Sequence, residues 1–330
     1  CSQTGEDHAQ TRKLLAALVR HPNAAAVLVL GLGCENLTHE QFLEELGDYD
    51  KDRVKFLICQ EAGDEFSEGR ELLKQCAEYA SQFKREPIPV SELVIGMKCG
   101  GSDGLSGITA NPAVGRFSDM MAARGGSTVL TEVPEMFGAE GFLMNRCVNE
   151  AVFEKAVDMI NGFKNYFISH NEVVYDNPSP GNRQGGITTL EDKSCGCVQK
   201  GGTAPIMDVI GYGDPVTAKG LNMLYGPGND LVSATAMTAA GAHMILFTTG
   251  RGTPFGAPAP TLKLATNSQL AEKKKGWIDF DAGPIADGES IDDAAKRLLQ
   301  LVIETADGKQ TKAEEKGFRE ISIFKDGVVL

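Results

Sequence analysis

The sequence lacks an apolar run long enough to cross a bilayer, and no signal peptide is recognisable in it. It also lacks an excess of basic residues, because 45 acidic against 32 basic residues give a net charge of −13. That balance argues against nucleic acid or an anionic membrane as partner, but a local group of cations would still suffice for an anionic small substrate. The eight cysteines form no dense framework, so we expect a cytoplasmic protein whose thiols are free or bound to metal.

Familiar nucleotide-binding and hydrolase motifs are missing as well. Gly31–Gly33 lacks the third glycine of a dinucleotide-binding turn, and no glycine loop continues into Gly-Lys-Ser or Gly-Lys-Thr. There is no G-x-S-x-G elbow. Cys195 and Cys197 are closer in sequence than the cysteines of a usual zinc knuckle, so we interpret this pair as structural.

Buried strands and amphipathic helices alternate along the chain. In the first part, strands are predicted at 25–30 and 54–59, with a helix after each and a capping box from Thr38 to Gln41. This alternation is typical of an α/β fold with mostly parallel sheets and flanking helices. The prolines between 84 and 89 mark a boundary, so we predict two Rossmann-like α/β domains at 1–86 and 87–330.

The stretch 93–116 is central to the second domain. Its apolar start predicts a buried strand that breaks at a glycine-rich turn from Cys99 to Gly104, and Pro112 then lies in the first turn of a helix running toward Arg124. Ligands of open α/β sheets bind at the carboxyl ends of strands, so we expect a binding site at this turn. The alternative is an ordinary strand–turn–helix corner.

The rest of the second domain continues the alternation. Strands are predicted at 128–130, 221–224, 244–248 and 261–265, and helices at 149–168, 188–198, 232–242 and 291–305. The stretch 177–186 contains two prolines and three glycines and is predicted to be an extended loop without regular structure.

Seven unusual motifs resemble the altronate/galactarate dehydratase family. They are GLGCEN (31–36), KCGGSDGLSGITANPAVGRFSD (98–119), TEVPEMFGAE (131–140), NPSPGN (177–182), GGITTLEDKS (185–194), PGND (227–230) and FTTGRGTPFG (247–256). The resemblance covers the whole chain as the family's second and C-terminal domains. It implies an additional small N-terminal domain that this chain does not contain, so we expect the sequence to be a fragment that begins at Cys1.

The resemblance implies an iron-dependent lyase that removes water from a sugar acid such as D-altronate to give 2-keto-3-deoxy-D-gluconate. Dehydration of this kind requires a base for the α-proton, an acid for the leaving hydroxyl and a metal or fixed dipoles for the enediolate. A galactarate dehydratase, the large subunit of a sulfolactate sulfo-lyase and a non-catalytic sugar-acid-binding module are the alternatives. A homo-oligomer is left open.

The chemistry that the resemblance implies selects candidate residues in the motifs. The metal candidates, soft ligands in glycine turns, are Cys1, Cys34 and Cys99. The catalytic candidates are Asp103, Glu132, Glu135 and Lys193. The substrate-binding candidates are Ser102, Ser106, Asn111, Asn229, Asp230 and Arg251, of which Arg251 is expected to grip the substrate carboxylate.

Several points stay open at the level of sequence. The metal is either mononuclear Fe²⁺ or an iron–sulfur cluster with one open iron, and any of the carboxylates is available as the base. We expect the thiols of Cys34 and Cys99 to face the same cavity as Asp103. The structural alternatives are an Asx turn for Asp103, an N-cap for Asp230 and a helix C-terminal contact for Arg251.

Overall fold

The computed structural model describes residues 2–330 and shows two parallel sheets with helices packed against them. The strands are β1 (Val27–Gly31), β2 (Val54–Ile58), β3 (Val94–Cys99), β4 (Ser127–Leu130), β5 (Ile206–Ile210), β6 (Gly220–Leu224), β7 (Met244–Thr249), β8 (Thr261–Ala265) and β9 (Phe280–Asp281). The α-helices are α1 (Gly5–Arg20), α2 (His39–Leu46), α3 (Glu65–Ala80), α4 (Ala110–Ala122), α5 (Glu140–Met144), α6 (Glu150–Ser169), α7 (Pro180–Gln184), α8 (Leu190–Val198), α9 (Asp230–Ala239), α10 (Ser268–Lys273), α11 (Ile291–Ala306) and α12 (Lys312–Glu315).

In the smaller sheet β1 pairs with β2 in parallel. Helix α3 contacts both strands, and α1 packs against α2. Helix α2 begins at the capping box predicted from the sequence: the Thr38 hydroxyl accepts from the Gln41 backbone N–H, and the Gln41 side chain accepts from the Thr38 N–H. Phe42, Leu46 and Val54 bury their side chains between α2 and the sheet.

The larger sheet has the strand order β5-β6-β4-β3-β7-β8-β9, and every neighbouring pair is parallel. After β3 the chain first builds one side of the sheet, β4 to β6, and then returns to add β7 on the other side. The order of strands therefore reverses next to β3, and ligands of open α/β sheets bind in the crevice at such a reversal.

Both faces of the larger sheet are covered, and the alternation of side chains along β7 shows this directly. Leu246 points into the core formed with α4, α6 and α11, whereas Ile245 and Phe247 point into the core formed with α9. Strand β3 alternates in the same way, so that consecutive residues at its end face opposite layers of the fold.

Helix α1 connects the smaller sheet to the larger one. Its Leu14 is completely buried in the core that contains α9. Its buried Asp7 accepts hydrogen bonds from the backbone N–H groups of Asp326 and Gly327, near the end of the chain. The first and last segments of the described chain therefore lie together.

The α/β fold with parallel strands and flanking helices is confirmed, but one local prediction was wrong and some elements were not predicted. Strand β5 was missed in the sequence. The stretch 177–186 is not without regular structure, because helix α7 forms there with the Ser179 hydroxyl accepting from the Asn182 N–H and Pro180 in the first turn. None of the helices described is long and apolar enough to cross a membrane.

Candidate active site

The end of β3 places two reactive side chains in different layers. Lys98 points toward α9, where it meets Asp230, and Cys99 points toward α8, where it meets Cys197. Because β3 lies between β4 and β7, the turn after β4 reaches the same place and brings Glu132 and Glu135. A strand end thus gathers groups from both helical layers.

Cys99, Glu135 and Cys197 form a compact group of metal-ligand atoms, which all lie within 4.8 Å of one another. The two thiols lie 3.1 Å (Cys99) and 3.0 Å (Cys197) from Glu135 Oε2, and their sulfur atoms are 3.5 Å apart. Three separate segments supply these atoms: the end of β3, the turn after β4 and helix α8.

Two buried lysines of α8 and the turn after it surround the Cys99 sulfur. Lys200 Nζ lies 2.9 Å and Lys193 Nζ 3.9 Å from Cys99 Sγ, and Lys193 is also 3.2 Å from Glu135 Oε1. Burial alone would lower the pKa of both ammonium groups, but the surrounding thiols and carboxylates raise the pKa of each well above its usual value.

The same charges set the ionisation of the ligand atoms. Burial would raise the pKa of Glu135, but Lys193 and Lys200 lower it to about 2. The hydrogen bond from Cys197 lowers the pKa of the Cys99 thiol against the opposing effect of burial. That hydrogen bond and burial raise the pKa of Cys197 itself. Of the two thiols, that of Cys99 therefore loses its proton more readily, which agrees with the approach of Lys200 to its sulfur.

Glu132 is buried beneath this group and has both carboxylate oxygens engaged. Its Oε1 accepts from Lys98 at 2.8 Å, and its Oε2 accepts from Lys200 at 3.0 Å and from the Cys99 backbone N–H at 3.0 Å. Its backbone has the left-handed conformation, with φ 67° and ψ 54°, which is strained for a residue other than glycine. The strained residue is therefore the one whose carboxylate binds the ammonium groups of both Lys98 and Lys200.

A cavity of about 900 Å³ opens beside the group, at the carboxyl ends of β3 and β7. Its ionisable lining residues are Cys99, Glu135, His170, Glu172, Lys193, Asp230 and Arg251. Asp230 is partly exposed to it, while its Oδ1 accepts from Lys98 at 2.7 Å. Arg251 follows β7, and its Nη1 donates to the Gly181 carbonyl of α7 at 2.6 Å.

Four of the sequence candidates have internal hydrogen-bond partners and lie outside this cavity. Asp103 closes an Asx turn, accepting from the Leu105 N–H at 3.2 Å, and also accepts from Thr266 and Asn267. The side chains of the other three are also engaged: Ser106 bonds Asp103, Asn111 bonds Gly196 and Thr248, and Asn229 caps α9. Ser102 is buried and accepts from Lys193 at 3.1 Å.

The thiol candidates of the smaller sheet lie elsewhere. Cys34 is exposed in the loop after β1, where the Gln60 side chain donates to its sulfur at 3.4 Å, and it does not belong to the ligand group at Cys99. Cys1 lies outside the described residues. The expectation of one cavity shared by Cys34, Cys99 and Asp103 was wrong, because Asp103 lines a separate cavity of about 170 Å³ and Cys34, among residues 2–330, lines neither of these two.

Sequence reasoning missed Cys197 as a candidate ligand and left Lys98 and Lys200 without a role. The sequence does contain a signal for Cys197 and Lys200, because their spacing from Lys193 places all three on one helix face. That face of α8 and the turn after it points at Cys99.

The donor set fits a divalent metal ion. Thiolate–metal bonds of about 2.3 Å in a tetrahedral site place two sulfurs roughly 3.8 Å apart, close to the 3.5 Å observed between Cys99 and Cys197. Two soft thiolates and a carboxylate are ligands that first-row transition metals accept. The charges also fit, because three buried lysines face three carboxylates and two thiols, so that a divalent ion balances the site once both thiols ionise.

Family models match both parts of the chain. Residues 90–329 match the family model described as D-galactarate/altronate dehydratase, C-terminal, and residues 1–81 match the one described as D-galactarate dehydratase/altronate hydrolase, second domain. The chain belongs to the D-galactarate/altronate dehydratase family. The candidate site lies within the part that matches the family's C-terminal model.

Individual relatives show how close the similarity is within the dehydratase family. The chain is 57% identical to the altronate dehydratase of Escherichia coli (strain K12) and 56% identical to that of Bacillus subtilis (strain 168), over all of this chain and 67% of each relative. It is 36% identical to the galactarate dehydratase (L-threo-forming) of E. coli, over 94% of this chain and 62% of the relative. The chain thus spans about two thirds of the length of these relatives.

Proposed function

We propose that this chain carries the catalytic site of a hydro-lyase that dehydrates D-altronate to 2-keto-3-deoxy-D-gluconate. The observation that carries the proposal is the Cys99–Glu135–Cys197 group, because Cys99 and Glu135 line, together with Lys193 and Asp230, a cavity large enough for a six-carbon acid. The identity to two altronate dehydratases over the whole chain supports altronate as the substrate rather than galactarate.

The reaction removes a proton next to the carboxylate and expels the neighbouring hydroxyl, which takes up a proton and leaves as water, and the resulting enol tautomerises to the 2-keto acid. Arg251, at the mouth of the cavity, binds the substrate carboxylate, because a planar guanidinium matches a carboxylate in bidentate fashion. Asp230 takes the α-proton, since it lines the cavity and does not belong to the ligand group. Lys193 donates hydrogen bonds to the substrate oxygen that gains negative charge when the α-proton is removed.

Fe²⁺ is the metal we propose for Cys99, Glu135 and Cys197, and when bound it supplies Lewis acidity at the substrate oxygens. Two thiols and a carboxylate support mononuclear iron over a cluster, because iron–sulfur clusters are held mainly by cysteine thiolates. The free thiols at all seven cysteines of residues 2–330 support a reducing compartment, and we place the protein in the cytoplasm.

A substrate panel tests the proposal. The protein, prepared without oxygen and loaded with Fe²⁺, is supplied in parallel with altronate, galactarate and sulfolactate, and formation of the 2-keto acid and release of sulfite are measured. We expect 2-keto acid from altronate and at least about tenfold lower kcat/KM with galactarate, because binding differences of that size follow from one functional group. Binding of altronate without turnover would identify a binding module and contradict the proposal.

A further inference from the structure

Lys98 lies completely buried between two carboxylates that differ in exposure. It is the next-to-last residue of β3, and its Nζ donates to Glu132 Oε1 at 2.8 Å and to Asp230 Oδ1 at 2.7 Å. The Glu132 side chain is 1% exposed and the Asp230 side chain 33% exposed. Lys98 therefore connects a fixed internal carboxylate with one that lines the cavity.

The internal end of this connection is anchored on several sides. Glu132 is held by Lys200 and by the Cys99 backbone N–H in addition to Lys98, and its own backbone is fixed in the left-handed conformation. The Lys98 ammonium also lies 5.0 Å from the centre of the Phe247 ring. Lys98 thus has little freedom to follow a movement of Asp230.

The cavity end is constrained by the backbone of β3. Asp230 packs over Gly100 so closely that a Cβ at this position would lie 2.6 Å from Asp230 Oδ2 and 2.7 Å from Oδ1. The glycine after Cys99 is therefore required by the carboxylate above it. One side of the Asp230 carboxylate rests on the backbone, one oxygen is bound to Lys98, and the remaining side faces the cavity.

We propose that Lys98 is a positioning residue that fixes the Asp230 carboxylate in the orientation that accepts the α-proton, without touching the substrate itself. The inference rests on the proposed function, in which Asp230 is the proton acceptor. A short side chain at the start of α9 has rotamers that turn it away from the cavity, and a buried cation that holds one oxygen selects against them.

The test replaces Lys98 with methionine, which keeps the length and removes the charge, in the iron-loaded protein. We expect kcat to fall about 10²-fold, the loss that a misplaced catalytic group produces, while KM and bound iron stay within about threefold of wild type. Lys263→Met is the matched control, because Lys263 is also a buried lysine of the sheet beside Phe247, but its Nζ donates to the Phe255 carbonyl, whereas that of Lys98 donates to two carboxylates. The control should keep kcat within about threefold of wild type.

A double-mutant cycle with Asp230→Asn identifies the group through which Lys98 acts. In the Asp230→Asn background, adding Lys98→Met should lower kcat by less than about threefold, because the positioned carboxylate is already gone. The same large loss in both backgrounds, or loss of iron from Lys98→Met, would overturn the inference. If Lys98→Met does not fold, Lys98→Gln takes its place in the cycle, since its amide is a polar partner for the buried Glu132 but lacks the charge and ends one bond short of the Nζ that holds Asp230.

The outcomes also separate this inference from the function on which it rests. A wild-type protein that binds iron but does not dehydrate any sugar acid contradicts the proposed function. An active wild type in which Lys98→Met matches the Lys263→Met control contradicts the positioning role alone. A crystal structure of Lys98→Met adds a readout besides activity, and the inference expects the Asp230 carboxylate to be rotated away from Gly100.

Discussion

The sulfur atoms of Cys99 and Cys197 lie 3.5 Å apart, although 98 positions separate the two residues in the chain. One thiol ends a central strand and the other lies in the last turn of α8, and both contact the same oxygen of Glu135. The site therefore forms only when the sheet and its α8 layer are assembled.

Replacing Cys197 with serine should remove iron from the protein. A hydroxyl stays protonated where a thiol ionises, so one of three ligands is lost and the bound iron should fall at least about tenfold after dialysis. Cys195→Ser is the matched control, because Cys195 lies two positions away in the same helix and is not part of the ligand group. Metal analysis of both variants checks the prediction, and equal iron content in the two would exclude Cys197 as a ligand.

Much of the fold was predictable because its signals are local. Thr38 and Gln41 show a capping box within four residues, and in 261–265 Leu262 and Leu264 alternate with polar residues, as is typical of a strand such as β8. Helix α7 was missed because the prolines and glycines of 177–186 outweighed a short signal, Ser179 followed by Pro180. Strand β5 forms by pairing with β6, and this pairing between two segments leaves no local sequence pattern.

The site was predictable only in part, because it depends on contacts between distant segments. Cys99 and Glu135 lie at strand ends, which sequence patterns locate, and parallel strands bring such ends together. Asp103 also lies near a strand end, but it turns back to cap its own loop and to meet Thr266. Cys34 follows β1, which belongs to the smaller sheet. Parallel pairing in the larger sheet therefore does not bring Cys34 close to Cys99.

Arg251→Lys should weaken substrate binding. The ammonium of lysine makes one contact where the guanidinium makes two. We therefore expect KM to rise at least about tenfold, which corresponds to the free energy of one charge-assisted hydrogen bond. Arg183→Lys is the control, because Arg183 belongs to α7 and bonds the Pro178 carbonyl but does not line the cavity. Steady-state kinetics with altronate measure both variants. An unchanged KM for Arg251→Lys would remove this residue from the substrate site.

Glu132→Gln should destabilise the fold strongly. The substitution leaves the buried ammonium groups of Lys98 and Lys200 with too little negative charge, which costs about 3–5 kcal/mol in buried ion pairs. The matched control is Glu289→Gln, which removes a partly exposed pair with Arg297 and should cost less than about 1 kcal/mol. Urea unfolding at pH 7 gives both free energies, and similar values would show that Glu132 does not hold the site together.

The buried Lys263 should make the free energy of unfolding depend on pH. Burial lowers its pKa to about 7 from 10.5, so between these values the folded state has released a proton that the unfolded chain still binds. Stability therefore rises through this window, and the destabilising effect of Lys263 is complete below pH 7. Lys263→Met removes this contribution. The difference in unfolding free energy between the variant and wild type should be largest at pH 7 and shrink toward pH 9.

A difference between Lys263→Met and wild type that stays constant from pH 7 to pH 9 would contradict this assignment. The buried lysines of the site do not interfere, because their pKa values lie above the usual value and their contributions change only at higher pH. Their effects also cancel when the variant is compared with wild type at each pH.

The most direct test of the central claim is an oxygen-free titration of the metal-free protein with Fe²⁺. Bound iron, the thiolate-to-iron absorption and altronate dehydration are followed in the same samples. The account predicts that all three rise together and saturate at one iron per chain, and that Glu135→Gln abolishes the rise. Full dehydratase activity in the metal-free protein, or iron binding and activity that are unchanged in Glu135→Gln, would contradict it.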